Sequence, residues 1–126
     1  VGAPWIDGRK LAGMLNELPT SAGVRAIPMV FTPTSSVYKG VECQGISIFI
    51  TNREQLRPFG FGIGLAYCLR KLYPREWEAQ KALGLLANRE VHTMVMDGAE
   101  PERVLQRCAR DEDAFRRRRE PFLLYG

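Results

Sequence analysis

FTPTSSVYKGVECQGISIFIT, Phe31 to Thr51, runs from an apolar approach through a polar, turn-rich middle to an alternating apolar exit. Alternation of β-branched residues from Ile46 to Thr51 predicts a strand, with Ile46, Ile48 and Ile50 on the face that meets the helices and Ser47, Phe49 and Thr51 on the other. The middle, rich in Pro, Thr, Ser and Gly, reads as a long surface connection from Phe31 to Gly45, the kind of segment that carries binding groups on a rigid frame. Upstream, Val24 to Phe31 is apolar and β-rich, and Pro28, which cannot donate to a ladder, places it at an edge or bulge. Two such strands pair antiparallel, and a third could come from outside the chain.

Helices flank this pair. Leu11, Met14, Leu15 and Leu18 recur at helical spacing after Asp7, an N-cap residue, and Pro19 stops the run. Ile6 and Leu11 are placed to close as a hydrophobic staple, which leaves Trp5 as a core plug or an aromatic platform for a sugar ring. Phe61, Leu65, Cys68, Leu69 and Leu72 mark the longest helix, ended by Tyr73-Pro74. Its Gly60, Gly62 and Gly64 lack the spacing and the preceding strand of a phosphate-binding loop, so close packing of helix on sheet is the expected reason for them. Arg75 to Ala87 is a connector around Trp77 and Leu86 with poor periodicity. Asn88 caps a helix carrying Val91, Met94 and Val95 that Gly98 ends. Pro101 opens the last helix, with Val104, Leu105, Cys108 and Phe115 expected inward, and the apolar end from Phe122 to Tyr125 is expected to dock. The sum is an α+β fold: a short, mainly antiparallel sheet with three to four helices packed on one face, forming one domain over residues 1–126.

Composition narrows the function. The chain has 126 residues, 45% hydrophobic and 25% charged, values ordinary for a globular domain, and lacks an apolar run long enough for a membrane helix. Lys and Arg exceed Asp and Glu by 18 to 14, a mild basic excess concentrated in Arg116 to Arg119. Those arginines are flanked by Asp111, Glu112, Asp113 and Glu120, so an ion-paired solvated face is expected rather than a nucleic-acid patch. Cys43, Cys68 and Cys108 show no metal-binding spacing, so neither a metal nor a cofactor is expected. They read as small buried residues, and Cys43, in the connection, is the one with a further possible role. His92 stands off the apolar face of its helix with no partner acid or thiol and reads as a surface residue.

A glycosidase of the usual kind needs two carboxyls ~5 to 9.5 Å apart, one with a raised pKa. Glu54, Glu76, Glu78, Glu90, Asp97, Glu100 and Glu102 all lie in charged stretches that argue for solvent, and Glu42 is the sole acid on the central connection. No catalytic residue is therefore assigned. Tyr38 and Lys39 set a hydrogen-bonding ring beside a cation, a pair suited to a ligand with both sugar and carboxylate; the alternative is that Tyr38 covers core and Lys39 faces water.

GAPWIDGRKLAGMLN, FTPTSSVYKGVECQGISIFITN, RPFGFGIGLAYCLRKLYP and AFRRRREPFLLY together resemble the C-terminal portion of the bacterial exo-β-N-acetylmuramidases, a family long catalogued as a domain of unknown function. The pattern departs from this chain at residues 75–98 and at Cys108 and Glu112. The resemblance implies a two-domain, periplasmic or secreted enzyme of cell-wall recycling that removes terminal N-acetylmuramic acid from peptidoglycan fragments. A Rossmann-like N-terminal domain carries its catalytic carboxylate, and this chain corresponds to the smaller, non-catalytic partner. Phe31, Thr32, Tyr38, Lys39, Gly40, Glu42 and Cys43 are then the candidate substrate-binding residues on one wall of the interdomain cleft, with Lys39 facing the lactyl carboxylate and Tyr38 the sugar. The partners implied are that catalytic domain and a peptidoglycan-derived sugar, with no nucleic acid and no membrane span. The competing expectation is a structural or assembly module, motivated by the apolar residues at both ends, Trp5 and Phe122 to Tyr125.

Overall fold

The computed structural model describes residues 1–123, an α+β arrangement of three antiparallel strands and four helices of eight or more residues among them. In chain order these are β1 (Gly2–Ala3), α1 (Gly8–Glu17), β2 (Val24–Phe31), β3 (Cys43–Ile50), α2 (Pro58–Leu72), the single turn α3 (Leu83–Leu86), α4 (Arg89–Met96) and α5 (Pro101–Arg119). The sheet order is β1-β3-β2, and β2 pairs with β3 from Val24 opposite Ile50 to Phe31 opposite Cys43.

The chain supplies its own third strand. Gly2 and Ala3 pair with Gly45 and Gln44, a segment too short to show any periodicity. Its approach depends on Gly45, where a Cβ would overlap the Val1 carbonyl and the Gly2 backbone. The ladder also reaches back to Cys43, three residues before the predicted start at Ile46, because backbone pairing with Phe31, Val30 and Met29 continues past the weak strand formers Gln44 and Gly45. Cys43 therefore belongs to a strand and not to the connection.

β2 is an outer strand, and its free edge is closed by a side chain. Asn16 of α1 donates from Nδ2 to the Ala26 carbonyl and accepts from the Ala26 N–H at Oδ1, both at 2.9 Å, as a neighbouring peptide group would. Pro28, two residues along and so facing the same way, has no N–H to leave unpaired.

α1 starts as its sequence predicts. Asp7 Oδ1 accepts from the backbone N–H groups of Arg9 at 3.0 Å and Lys10 at 3.1 Å, and Ile6 and Leu11 are both buried. Its Leu11, Ala12 and Leu15 share one core with Val24, Ala26 and Ile46. The isoleucine face meets the helices only in part: Ile46 is buried, whereas Ile48 and Ile50 are 42% and 54% exposed. One helix ~10 Å across covers strands ~4.8 Å apart only where it crosses them, and α1 lies over β2 at Val24 and Ala26 and over β3 at Gly45, against Gly8, and at Ile46.

α2 is apolar around most of its circumference because it faces two cores. Phe61, Tyr67, Cys68 and Leu69 join the first, and Ile63 joins a second with Val91, Val95 and Val104. α4 and α5 accordingly pack on α2 and on each other. Gly64 makes the close approach, against Leu18 and Thr20 of the turn after α1 and not against the sheet, while a Cβ at Gly62 would enter open space.

Several expectations for the last third change. Phe115 is 53% exposed because, among the described residues, no element covers the outer half of α5, and Phe122 and Leu123 are exposed rather than docked; Leu124 and Tyr125 fall outside the described residues. Among those residues Arg116 to Arg119 form no ion pair: Asp111 is taken by Arg107, which also holds Glu90, and Arg119 lies over the Phe115 ring instead. His92 is half-buried, its Nε2 enclosed and without a hydrogen-bond partner among the described residues.

Candidate functional site

The connection between β2 and β3 folds into a compact loop through its own backbone. Gly40 N–H donates to the Pro33 carbonyl at 2.9 Å, Lys39 N–H to Ser36 at 3.2 Å and Val41 N–H to Tyr38 at 3.0 Å. Ser36 and Gly40 take φ values of 73° and 75°, which turn the chain twice within five residues and swing Tyr38 back toward the N-terminal segment. There the Trp5 indole N–H donates to the Tyr38 hydroxyl at 3.2 Å.

This contact forms the floor of an open concavity of about 530 Å³ lined by Trp5, Val37, Tyr38, Glu76, Trp77, Glu78 and Lys81. Both tryptophans of the chain are in it. Tyr73 anchors the base: its ring lies 5.2 Å from that of Trp5, and its hydroxyl accepts from Asp7 N–H at 2.8 Å while donating to the Asp7 carbonyl. Burial pushes the Tyr73 phenol above its ordinary pKa, so it stays a neutral strut. Trp77 packs against both hydrophobic cores and presents its remaining surface to the concavity. Trp5 is half-buried against the core and also forms part of an open aromatic wall.

The rim is charged. Lys81 is ion-paired with Glu78, and that hydrogen bond, together with the nearby Tyr38 hydroxyl, raises its pKa. Glu76 and Glu78 are exposed. Aromatic faces bounded by carboxylates, an ammonium and a hydroxyl can stack against the apolar face of a pyranose and hydrogen-bond its edges.

Of the seven residues expected from sequence, Tyr38 lines the concavity. Lys39, next to it in the chain, is exposed and does not line it; Gly40 supplies the turn; Thr32 and Glu42 are exposed on the loop. Phe31 is half-buried at the end of β2, its ring against Gly2. Cys43 is fully enclosed, its thiol directed at the Val41 carbonyl at 3.5 Å, so it offers nothing to a ligand at the surface. Sequence reasoning missed the far wall, Glu76 to Lys81. The signal available was Glu-Trp-Glu in a stretch with no helical period, a large aromatic with no core-facing rhythm to explain it. Among the described residues no group of His, Cys, Asp and Glu could hold a metal ion.

Comparison with known proteins supplies the context. The family model described as exo-β-N-acetylmuramidase NamZ, C-terminal, matches residues 1–125. The peptidoglycan β-N-acetylmuramidase NamZ of Bacillus subtilis is 27% identical over 128 aligned residues, covering 99% of this chain and 31% of the relative. The crystal structure of a DUF1343 family protein from Bacteroides fragilis superposes with a TM-score of 0.60 at 28% identity, covering 99% of this chain and 34% of that one. The chain therefore spans about a third of the length of the proteins it matches.

Proposed function

Because the chain belongs to the family of exo-β-N-acetylmuramidase C-terminal domains, we propose that it serves a peptidoglycan glycosidase as one wall of the cleft that receives a terminal N-acetylmuramic acid residue. The reactive carboxyl comes from another domain of the full-length enzyme, and this domain positions sugar. The observation that carries the reading is the concavity in which Trp5, Tyr38 and Trp77 converge beside Glu76, Glu78 and Lys81. It supports sugar contact over a purely structural module, because an assembly surface has no use for an open pocket with aromatic walls and a charged rim.

The aromatic rings take the pyranose face, and the Tyr38 hydroxyl, already accepting from Trp5, retains a proton to donate. Lys39, exposed next to Tyr38 and outside the lining of the concavity, takes the lactyl carboxylate that distinguishes muramic acid from glucosamine where that group leaves the pocket. A charge-assisted hydrogen bond contributes about 1.5 to 3 kcal/mol, or roughly 10- to 150-fold in preference. Two variants of the full-length enzyme test this. Lys39→Ala lowers the rate ratio of muramyl to glucosaminyl substrates by that factor, and an unchanged ratio removes the role given to Lys39. The double variant Glu76→Gln, Glu78→Gln lowers kcat by less than about tenfold, whereas a fall of 100-fold or more would place the acid–base chemistry in this domain.

A further inference from the structure

The central strand β3 is paired along only half of one flank. Ile46 N–H donates to the Val1 carbonyl at 2.8 Å, and the Val1 amino group donates back to the Ile46 carbonyl at 3.1 Å, so Val1 and Ile46 form a doubly bonded antiparallel pair. Beyond Ile46 nothing pairs with that flank among the described residues. The Ile48 and Ile50 side chains there are exposed, on the same face as buried Ile46. An open, apolar half-edge of this kind is a template for another strand. The register of β1 determines which one: pairs alternate, so the residue immediately before Val1 would face Ser47 across a non-hydrogen-bonded pair, the second would bond to Ile48, and the fourth would reach Ile50.

The matching relatives are about three times the length of this chain, and the family model is a C-terminal one. Resting on the reading of this chain as the C-terminal part of such an enzyme, we propose that the four residues preceding Val1 in the full-length protein extend β1 along β3 to Ile50. The tie between the two domains is then a continuous β-strand and not a flexible linker. Because facing residues in a ladder share a face, the second and fourth upstream residues are apolar and cover Ile48 and Ile50. A strand tie of this kind fixes the sheet, and through α1 the Trp5 end of the concavity, relative to whatever the upstream chain carries.

The test uses the full-length protein. Cysteines replacing Ser47 and the residue just before Val1 should cross-link under mild oxidation, because facing Cα atoms in a non-hydrogen-bonded pair lie ~4.5 Å apart, within disulfide range. In the protein without these cysteines, the Ile48 amide should exchange with solvent at least roughly 100-fold more slowly than in an unstructured peptide. Absence of the cross-link in a folded double variant, or an Ile48 amide exchanging at the unstructured rate in the unaltered protein, overturns the proposal. Neither readout involves sugar. A cross-linked, protected strand in a protein that ignores N-acetylmuramic acid would defeat the proposed function and leave the strand in place, and the reverse outcome would do the opposite.

Discussion

Replacing Asn16 with alanine should cost this domain about 1.5 kcal/mol, because one side chain closes the free edge of the sheet. It makes two 2.9 Å hydrogen bonds to Ala26, a residue buried under α1. Each is worth about 1 kcal/mol net, and the gain in helix propensity from Asn to Ala returns roughly 0.5 kcal/mol. For a chain of this size, urea unfolding with a slope near 1.5 kcal/mol/M would show the midpoint falling by about 1 M. Asn16→Asp discriminates further: it keeps the acceptor for the Ala26 N–H but turns a carboxylate oxygen toward the Ala26 carbonyl. That variant should be destabilised at pH 7 and partly restored as the carboxyl protonates at low pH and regains a donor. Midpoints for Asn16→Ala within about 0.3 M of the parent, or an Asn16→Asp protein as stable as the parent at pH 7, would refute the edge-closing role.

Two glycines two residues apart in α2 should respond with opposite sign. Gly64→Ala drives a methyl into Thr20 and Leu18 and should lose about 1 to 3 kcal/mol, whereas Gly62→Ala, in open space, should gain up to about 1 kcal/mol from helix propensity, as thermal unfolding of both would show. Stability should hold across a plateau and fall at both ends of the pH range. The Asp7 carboxyl is held below its ordinary value of 3.8 first by the Lys10 backbone N–H, so its contribution is present above that value and lost as pH falls through the lower folded one. The Tyr73 phenol is raised by burial, so its contribution is complete below its ordinary value of 10.0 and lost as pH rises through the higher folded one. Asp7→Asn should flatten the acid limb of urea midpoints measured against pH, and Tyr73→Phe the alkaline limb. Among the thiols, Cys43 and Cys68 are enclosed and burial pushes Cys68 up to about 11, so iodoacetamide at pH 8 should modify half-buried Cys108 first; early labelling of Cys68 would contradict the packing around α2.

The elements with strong local signals were legible in the residues. Asp7 and Asn88 mark helix starts through side chains that reach backbone N–H groups two or three positions on, and the alternation from Ile46 to Ile50 is a property of that strand alone. What escaped depended on partners distant in sequence. β1 exists because Gly45 lets Val1 and Gly2 come close, and the exposure of Ile48 and Ile50 follows from the angle at which one helix crosses a sheet. The same limit applies to the concavity. Tyr38 could be singled out from its loop, but its neighbours Trp77, Glu76, Glu78 and Lys81 come from the far side of α2, and no spacing rule joins positions about forty residues apart.

Because both tryptophans of this chain line the concavity, their indole N–H signals read it directly. Titration of the full-length enzyme with N-acetylmuramic acid, followed by ¹H–¹⁵N spectra with Trp5 and Trp77 assigned by replacement with Phe, is the most direct test of the account. It predicts saturable shifts of both indole signals that weaken for N-acetylglucosamine and for Lys39→Ala. Indole signals that stay fixed at millimolar N-acetylmuramic acid, in a protein that turns over muramyl substrates, would contradict it.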